Sequence, residues 1–244
     1  MVSFENEFDS LKESNNPEIL NEFLIKLSES PNIKYFEFIE YLISKLDNNI
    51  FEKIKLNLVY LIGEIAKTSV IDVKYLDFLN NTYYTSDRWV RDEIIQAIEK
   101  TSKRNEIGEK LIKLIGYGIN DDYLPIRIDA LKAILSLDKI PIFVYKNIFL
   151  ALNSRENELE KISSEILSKN LSDYRELFNI LDKAENYKIC KSNAIRSLLL
   201  TFFQSTFNLE FFRKKILNSN WENEHKKMFL NEINTYEKII LKKI

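Results

Sequence analysis

Two columns of polar side chains recur along this chain with a spacing that lines up a charged surface. Lys55, Arg91 and Arg127 follow one another at 36-residue steps, and Lys191 takes the same place in a later, shorter segment. Five residues after each stand Tyr60, Gln96, Lys132 and Arg196. On helices this offset is a little over one turn, so the two columns share a face. A row of cations with one aromatic is chemistry for holding an acidic peptide, a C-terminal tail or a phosphate backbone. The competing use of the first column is structural, with Arg91 and Arg127 consumed by hydrogen bonds between neighbouring segments.

Residue types that support catalysis are sparse. His225 is the single histidine, so the sequence offers no histidine pair for a metal ion or a proton relay. Cys190 is the single cysteine and falls in an apolar column, where a thiol packs as a small hydrophobe instead of ionising. The four glycines, Gly63, Gly108, Gly116 and Gly118, form neither a phosphate loop nor a dinucleotide fingerprint. The carboxylates are spread over helical positions that read as exposed. The expectation is no catalytic residue, no metal ligand and no cofactor.

The elements that position the columns are legible from a longer pattern. Leu42, Phe78, Leu114 and Leu150 lie 36 residues apart, as do Ile54, Val90, Ile126 and Ile162. The text itself recurs, WVRDEIIQAI from Trp89 matching PIRIDALKAI from Pro125. A fixed period of this length belongs to stacked helical hairpins, each burying its apolar face on the next. Leu58, Ile94, Ala130 and Ile166 align as core, as do Val59, Ile95, Leu131 and Leu167, and Ala194 and Ile195 resume the pair later. Only 4 glycines and 4 prolines in 244 residues leave few turns, and 45% hydrophobic with 12% aromatic residues suffices for a continuous core.

The reading is therefore all-α: an α-α superhelix, or solenoid, of about six hairpins. It forms one domain over residues 1–244, with an N-terminal cap at 1–30, repeats at 31–204 and a closing hairpin at 205–244. The hairpins are expected at 31–46 with 51–67, 71–82 with 87–103, 105–117 with 122–137, 141–152 with 156–170, 173–184 with 187–204, and 207–218 with 221–243. Ser86 and Asp87 cap the helix opening at Arg88, and Gly116 and Gly118 end the preceding one in the left-handed conformation.

One cysteine excludes an internal disulfide framework, and the acidic start MVSFENEF lacks a signal peptide's basic and apolar runs. The longest apolar stretch, IPIFVYKNIFLAL, is too short to span a membrane. A cytoplasmic protein without a membrane span is expected. The formal net charge of -2 hides a gradient, with 4 basic and 10 acidic side chains in residues 1–50 but 8 basic and 5 acidic in 201–244.

SDRWVRDEIIQAI and DDYLPIRIDALKAI resemble HEAT-type repeats, in the subclass where an aspartate near the turn precedes a Val-Arg pair. The resemblance implies hydrogen bonds between neighbouring units through Asp87, Arg91 and Arg127, with Lys55 and Lys191 as conservative departures and Ser163 as a break. It implies a non-catalytic scaffold that binds a protein on its concave face. Alternatives within the same architecture are DNA glycosylases, which use tryptophans and an aspartate on a basic face, other nucleic-acid binders, and tubulin-binding arrays, which present a tryptophan from a turn. Trp89, beside Tyr83 and Tyr84, either seals its hairpin end or anchors a partner. Phe202, Phe203, Phe207, Phe211 and Phe212 fill the last core layer or form a surface for self-association.

Overall fold

The computed structural model describes residues 8, 9, 11, 12, 14–204 and 206–240. The first residues of the expected cap and the last of the closing hairpin lie outside them. The described residues are all-α, with thirteen α-helices, two short 3-10 helices and no strand. The chain divides into two compact units, Met1–Leu114 and Ile115–Ile244.

The first unit holds α1 (Pro17–Ser28), α2 (Phe36–Lys45), α3 (Asn48–Thr68), α4 (Val73–Tyr83) and α5 (Arg88–Ser102), and α6 (Glu109–Gly118) runs across the boundary. The second holds α7 (Leu124–Leu135), α8 (Ile142–Leu152), α9 (Asn157–Asn170), α10 (Tyr174–Asp182), α11 (Ser192–Phe202), α12 (Thr206–Asn218) and α13 (Asn223–Ile239). Short acidic or amide residues start many of them. Asn16, Asp47, Asp72, Asp87 and Asp173 each accept a backbone N–H from the first turn, a cap worth about 1 kcal/mol. Asp87 accepts from both Trp89 and Val90, whereas Ser86 turns back to the Thr82 carbonyl.

Hairpin partners pack together, α2 on α3 and α4 on α5, then α8 on α9 and α12 on α13. The second helices also pack serially. In the first unit α1 meets α3 and α3 meets α5; in the second the row runs α7, α9, α11, α13. Thus α1, expected as a cap, packs as a second helix does. The adjacent apolar pairs are the reason: Leu58 and Val59, Ile94 and Ile95, Ala130 and Leu131, Ile166 and Leu167, and Ala194 and Ile195 are all at 0 or 1% exposure. One member faces its own hairpin and the other the next, each burying on the order of 1.5–3 kcal/mol for a full aliphatic side chain.

Polar side chains tie neighbouring helices at nearly the same interval. Asn57 donates to Asn21 and Asn153 to the Ile189 carbonyl, each 36 residues apart, and Tyr75 donates to Glu40 at 35. Asn105 binds the Ser69 carbonyl at 36 and receives the Ile71 N–H at 34. The half-buried amides of Asn105 and Asn153 thus satisfy the loop backbone that the hairpin turns expose.

Three local expectations fail. Leu150 is 38% exposed because Ile148, Phe149 and Leu152 carry the core side of α8, and Phe78 is only half-buried because Tyr75, Leu76 and Leu79 carry that of α4. Gly116 and Gly118 lie within α6, and no described glycine has a positive φ. Gly116 instead admits a neighbour, since an added Cβ would stand 2.9 Å from the Asn147 amide nitrogen. Among the described residues the left-handed stretch is Ala184 and Glu185, at φ 55° and 54°, between α10 and α11.

Ser163 is fully buried in α9 and its hydroxyl has no partner. A buried unsatisfied hydroxyl is a net cost. Ser163→Ala is expected to raise the unfolding free energy by about 1 kcal/mol, read from urea denaturation. A loss of stability would show that the hydroxyl is satisfied.

Candidate binding face

The second helices carry the two polar columns, and their neighbours decide what each side chain does. In the first unit Lys55 is 3% exposed and its ammonium pairs with Glu52 at 2.6 Å. This corrects its place in a surface column, because α3 turns this position into the packing against adjacent helices. Arg91 is half-buried and donates to the Ser86 carbonyl at 3.4 Å, bracing the turn that Asp87 caps. In the second unit Arg127 donates to the Ile119 carbonyl at 3.0 Å, closing the end of α6. Lys191 is exposed, and its backbone N–H is held by Asn153 at 2.8 Å.

The second column is a mixed-charge surface. Tyr60 is 38% exposed and lies under the Lys100 ammonium, 4.4 Å from its ring centre. Lys100 bridges two carboxylates, Glu64 at 3.1 Å on α3 and Glu93 at 3.3 Å on α5, and all three side chains are 16–17% exposed. Gln96 is half-buried on the same helix. Lys132 pairs with Asp129 at 3.1 Å and keeps 48% of its side chain exposed. Arg196 makes two bonds to Glu232 on α13, at 2.7 and 3.1 Å, and next to it the Ser197 hydroxyl donates to Glu160 on α9.

The cations therefore come with acids that the columns alone did not reveal. Glu64 and Glu93 belong to the face in the first unit, and Asp129, Glu160 and Glu232 to the face in the second. The signal for two of them was present, since Lys100 and Glu232 each stand 36 residues after their partners. Burial sets their protonation. Desolvation raises the Glu93 carboxyl above its ordinary value against the opposing pull of Lys100. Burial depresses the Lys100 ammonium, but Glu93 and Glu64 outweigh it and the net direction is up. At Glu232 burial raises the carboxyl, yet hydrogen bonds from Arg196 and Ser192 win and it is lowered.

A carboxyl raised on folding holds its proton more tightly in the native state. Its contribution is fully present below the unfolded value of about 4.3 and is lost as pH rises through the folded pKa. Glu93→Gln is therefore expected to remove a stretch of falling stability above pH ~4.3, seen as the difference between urea midpoints of the two proteins against pH. Parallel curves would refute the assignment.

At the α4–α5 turn Trp89 is 53% exposed and Tyr84 59% exposed, whereas Tyr83 is 1% exposed. The Tyr83 ring seals the hairpin end and meets Tyr84 edge-on at 5.6 Å. The Arg88 guanidinium lies 4.9 Å over Trp89. Trp221 does meet an aspartate, donating from Nε1 to Asp182 at 2.8 Å, but the indole is 3% exposed in a core of rings. Of the C-terminal phenylalanines, Phe203 and Phe212 are buried, Phe202 is half-buried, and Phe207 and Phe211 are 69% and 42% exposed.

Cys190 is fully buried, its thiol donates to the Asn186 carbonyl, and burial pushes its pKa up, away from thiolate chemistry. Among the described residues no group of three or more histidine, cysteine, aspartate or glutamate side chains is placed to hold a metal ion, and no helix is long and apolar enough to cross a membrane.

No family model and no curated protein matches this chain. A solved structure described as a crystal structure of an engineered protein, a Northeast Structural Genomics Consortium target, is similar at 15% identity and a TM-score of 0.48, over 94% of this chain and 96% of its own.

Proposed function

We propose that this chain is a HEAT-like helical solenoid that works as a non-catalytic scaffold, holding a protein partner on the surface of its second helices and the turns that precede them. Serial packing of second helices and polar ties at intervals of about 36 residues support the repeat reading. The observation that carries the function is the α4–α5 turn. Trp89 and Tyr84 expose large rings on a segment braced by Asp87 and Arg91, with Arg88 stacked on the indole. Tryptophan, tyrosine and arginine presented rigidly are the residues that dominate binding energy at protein interfaces.

Paired cations weigh against phosphate. A nucleic-acid surface gains affinity by releasing counterions, and Lys100, Lys132 and Arg196 already have carboxylates in place of that atmosphere. The glycosylase alternative further needs accessible tryptophans with an aspartate at hand, whereas Trp221 is shut in the core and Asp87, beside the exposed Trp89, is engaged as the cap of α5 by the Trp89 and Val90 N–H groups. For the tubulin-binding alternative Trp89 stands on α5, third in the row α1, α3, α5, whereas that family places its tryptophan in the first unit. A reducing, cytoplasmic setting suits the single free thiol.

The test is recovery of partners from cell extract with the intact protein and with Trp89→Ala, followed by titration of the recovered partner. Loss of an anchor worth about 2 kcal/mol weakens binding roughly 30-fold. Duplex DNA bound with a steep salt dependence, or a partner bound equally by the variant, would sink the proposal.

A further inference from the structure

The connection between α10 and α11 is built unlike the turns that open α3 and α5. Those enter their helices through capping aspartates, Asp47 and Asp87, whereas α11 opens at Lys191 without a side-chain cap. Ahead of it Ala184 and Glu185 take left-handed backbone, at φ 55° and ψ 22°, then φ 54° and ψ 34°. A Cβ in that region crowds the following carbonyl, and neither alanine nor glutamate has the short polar side chain that lets asparagine tolerate it. Both side chains are exposed, so no core contact of their own offsets the strain.

The residues that follow hold the segment down. Asn186 is 1% exposed and its amide donates to the Ile180 carbonyl at 2.9 Å. The Tyr187 ring, also buried, lies flat on Trp221, and His225 of α13 meets it edge-on at 5.5 Å. At the surface the Lys188 ammonium bridges Glu185 at 2.9 Å and Glu222, the residue before α13, at 2.6 Å. Cys190, fully buried, bonds back through its thiol to the Asn186 carbonyl. The flanking helices keep their cores on other residues, Leu177 and Leu181 in α10, and Ala194, Ile195 and Leu198 in α11.

We propose that Lys183–Lys188 is a strained strap, clasped to the start of α13 by Tyr187 and Lys188, which lifts as a unit while α10, α11 and α13 stay packed. Its lifting gates solvent access to Cys190 and to the face of Trp221 that Tyr187 covers. The left-handed strain is released on lifting, so opening costs less than unfolding, and a segment with few buried contacts of its own opens first. The strap lies in the second unit and uses no residue of the Trp89 turn, so its failure leaves the scaffold proposal untouched, and the reverse.

The experiment is the reaction of Cys190, the single thiol of the full chain, with Ellman's reagent at fixed pH, from water up to urea concentrations below the unfolding transition. Urea unfolding followed by circular dichroism is the global reference for each variant. Labelling is expected to depend on urea much less steeply than global unfolding does, because lifting the strap exposes little surface. Ala184→Gly relieves the left-handed alanine and is expected to slow labelling about fivefold. Lys188→Gln frees the clasp and is expected to speed labelling about threefold. Labelling as steep in urea as global unfolding would mean that the thiol is reached only through the unfolded chain. Labelling unchanged or faster in Ala184→Gly would remove the strain, and labelling unchanged in Lys188→Gln would remove the clasp; each of the three results overturns the proposal.

Discussion

Trp221→Ala is expected to lower the unfolding free energy by about 3–5 kcal/mol, the largest loss from any single truncation considered. The indole is 3% exposed and stacks on Tyr187 at 4.5 Å and 9° and on Phe178 at 5.3 Å and 7°, with Phe229 edge-on at 5.1 Å. Those rings come from α10, the 3-10 segment Lys183–Lys188 and α13, so one side chain ties three elements. Alanine removes the apolar transfer term, both stacked contacts and the filling of the space between them. The Asp182 carboxylate is exposed and regains water, so it adds little to the loss. Trp221→Phe should cost less than half as much, since a ring remains. Urea denaturation followed by circular dichroism measures both, with Trp89→Ala as a surface control within about 0.5 kcal/mol. A loss under 1 kcal/mol at Trp221 would mean that the cluster is not a packed core.

Gly63→Leu is the second large effect, at about 3 kcal/mol, the upper part of the range for overpacking. Here α3 and α5 approach so closely that a Cβ on Gly63 would lie 2.9 Å from the Ala97 Cβ and 3.0 Å from its Cα. The backbone of α5 cannot yield locally, so the helices must part. Parting them also strains the Glu64–Lys100 bridge across the same pair of helices. Leucine's better helix propensity returns about 1 kcal/mol at most. A compensating Ala97→Gly should recover part of the loss, and a double-mutant cycle reads the coupling. If Gly63→Leu leaves stability unchanged, the close crossing of α3 and α5 is not real.

The candidate face illustrates how far spacing alone reaches. Periodicity placed Tyr60, Gln96, Lys132 and Arg196 on one helical face, because any side chain at a fixed interval in a repeat returns to the same side. It did not say that Lys55, one turn earlier, would be inside, since a lysine stem packs among apolar groups as readily as it lies on them. Nor did it disclose that the cations are matched. Glu232 and Lys100 do sit one period from their partners, yet Asp129 and Glu93 pair along their own helix, and nothing in the repeat marks them out from the other acids. Phe207 and Phe212 are equally apolar in the text, one exposed and one buried, because only the direction of α12 separates them.

The sequence by itself determined the all-helical class, most hairpin positions, the Asp87 cap, the buried apolar pairs and the burial of Cys190. All of these follow from local rules: helix propensity, side-chain capping within four residues and the period that keeps apolar groups on one face. Tertiary structure alone decided which cations are paired, that Trp221 is core while Trp89 is surface, and that Gly116 and Gly63 serve close approach instead of turns. Those features depend on distances between segments remote in the chain, where a shift of an ångström or a modest rotation of one helix exchanges a contact for solvent, and a linear pattern holds no record of either.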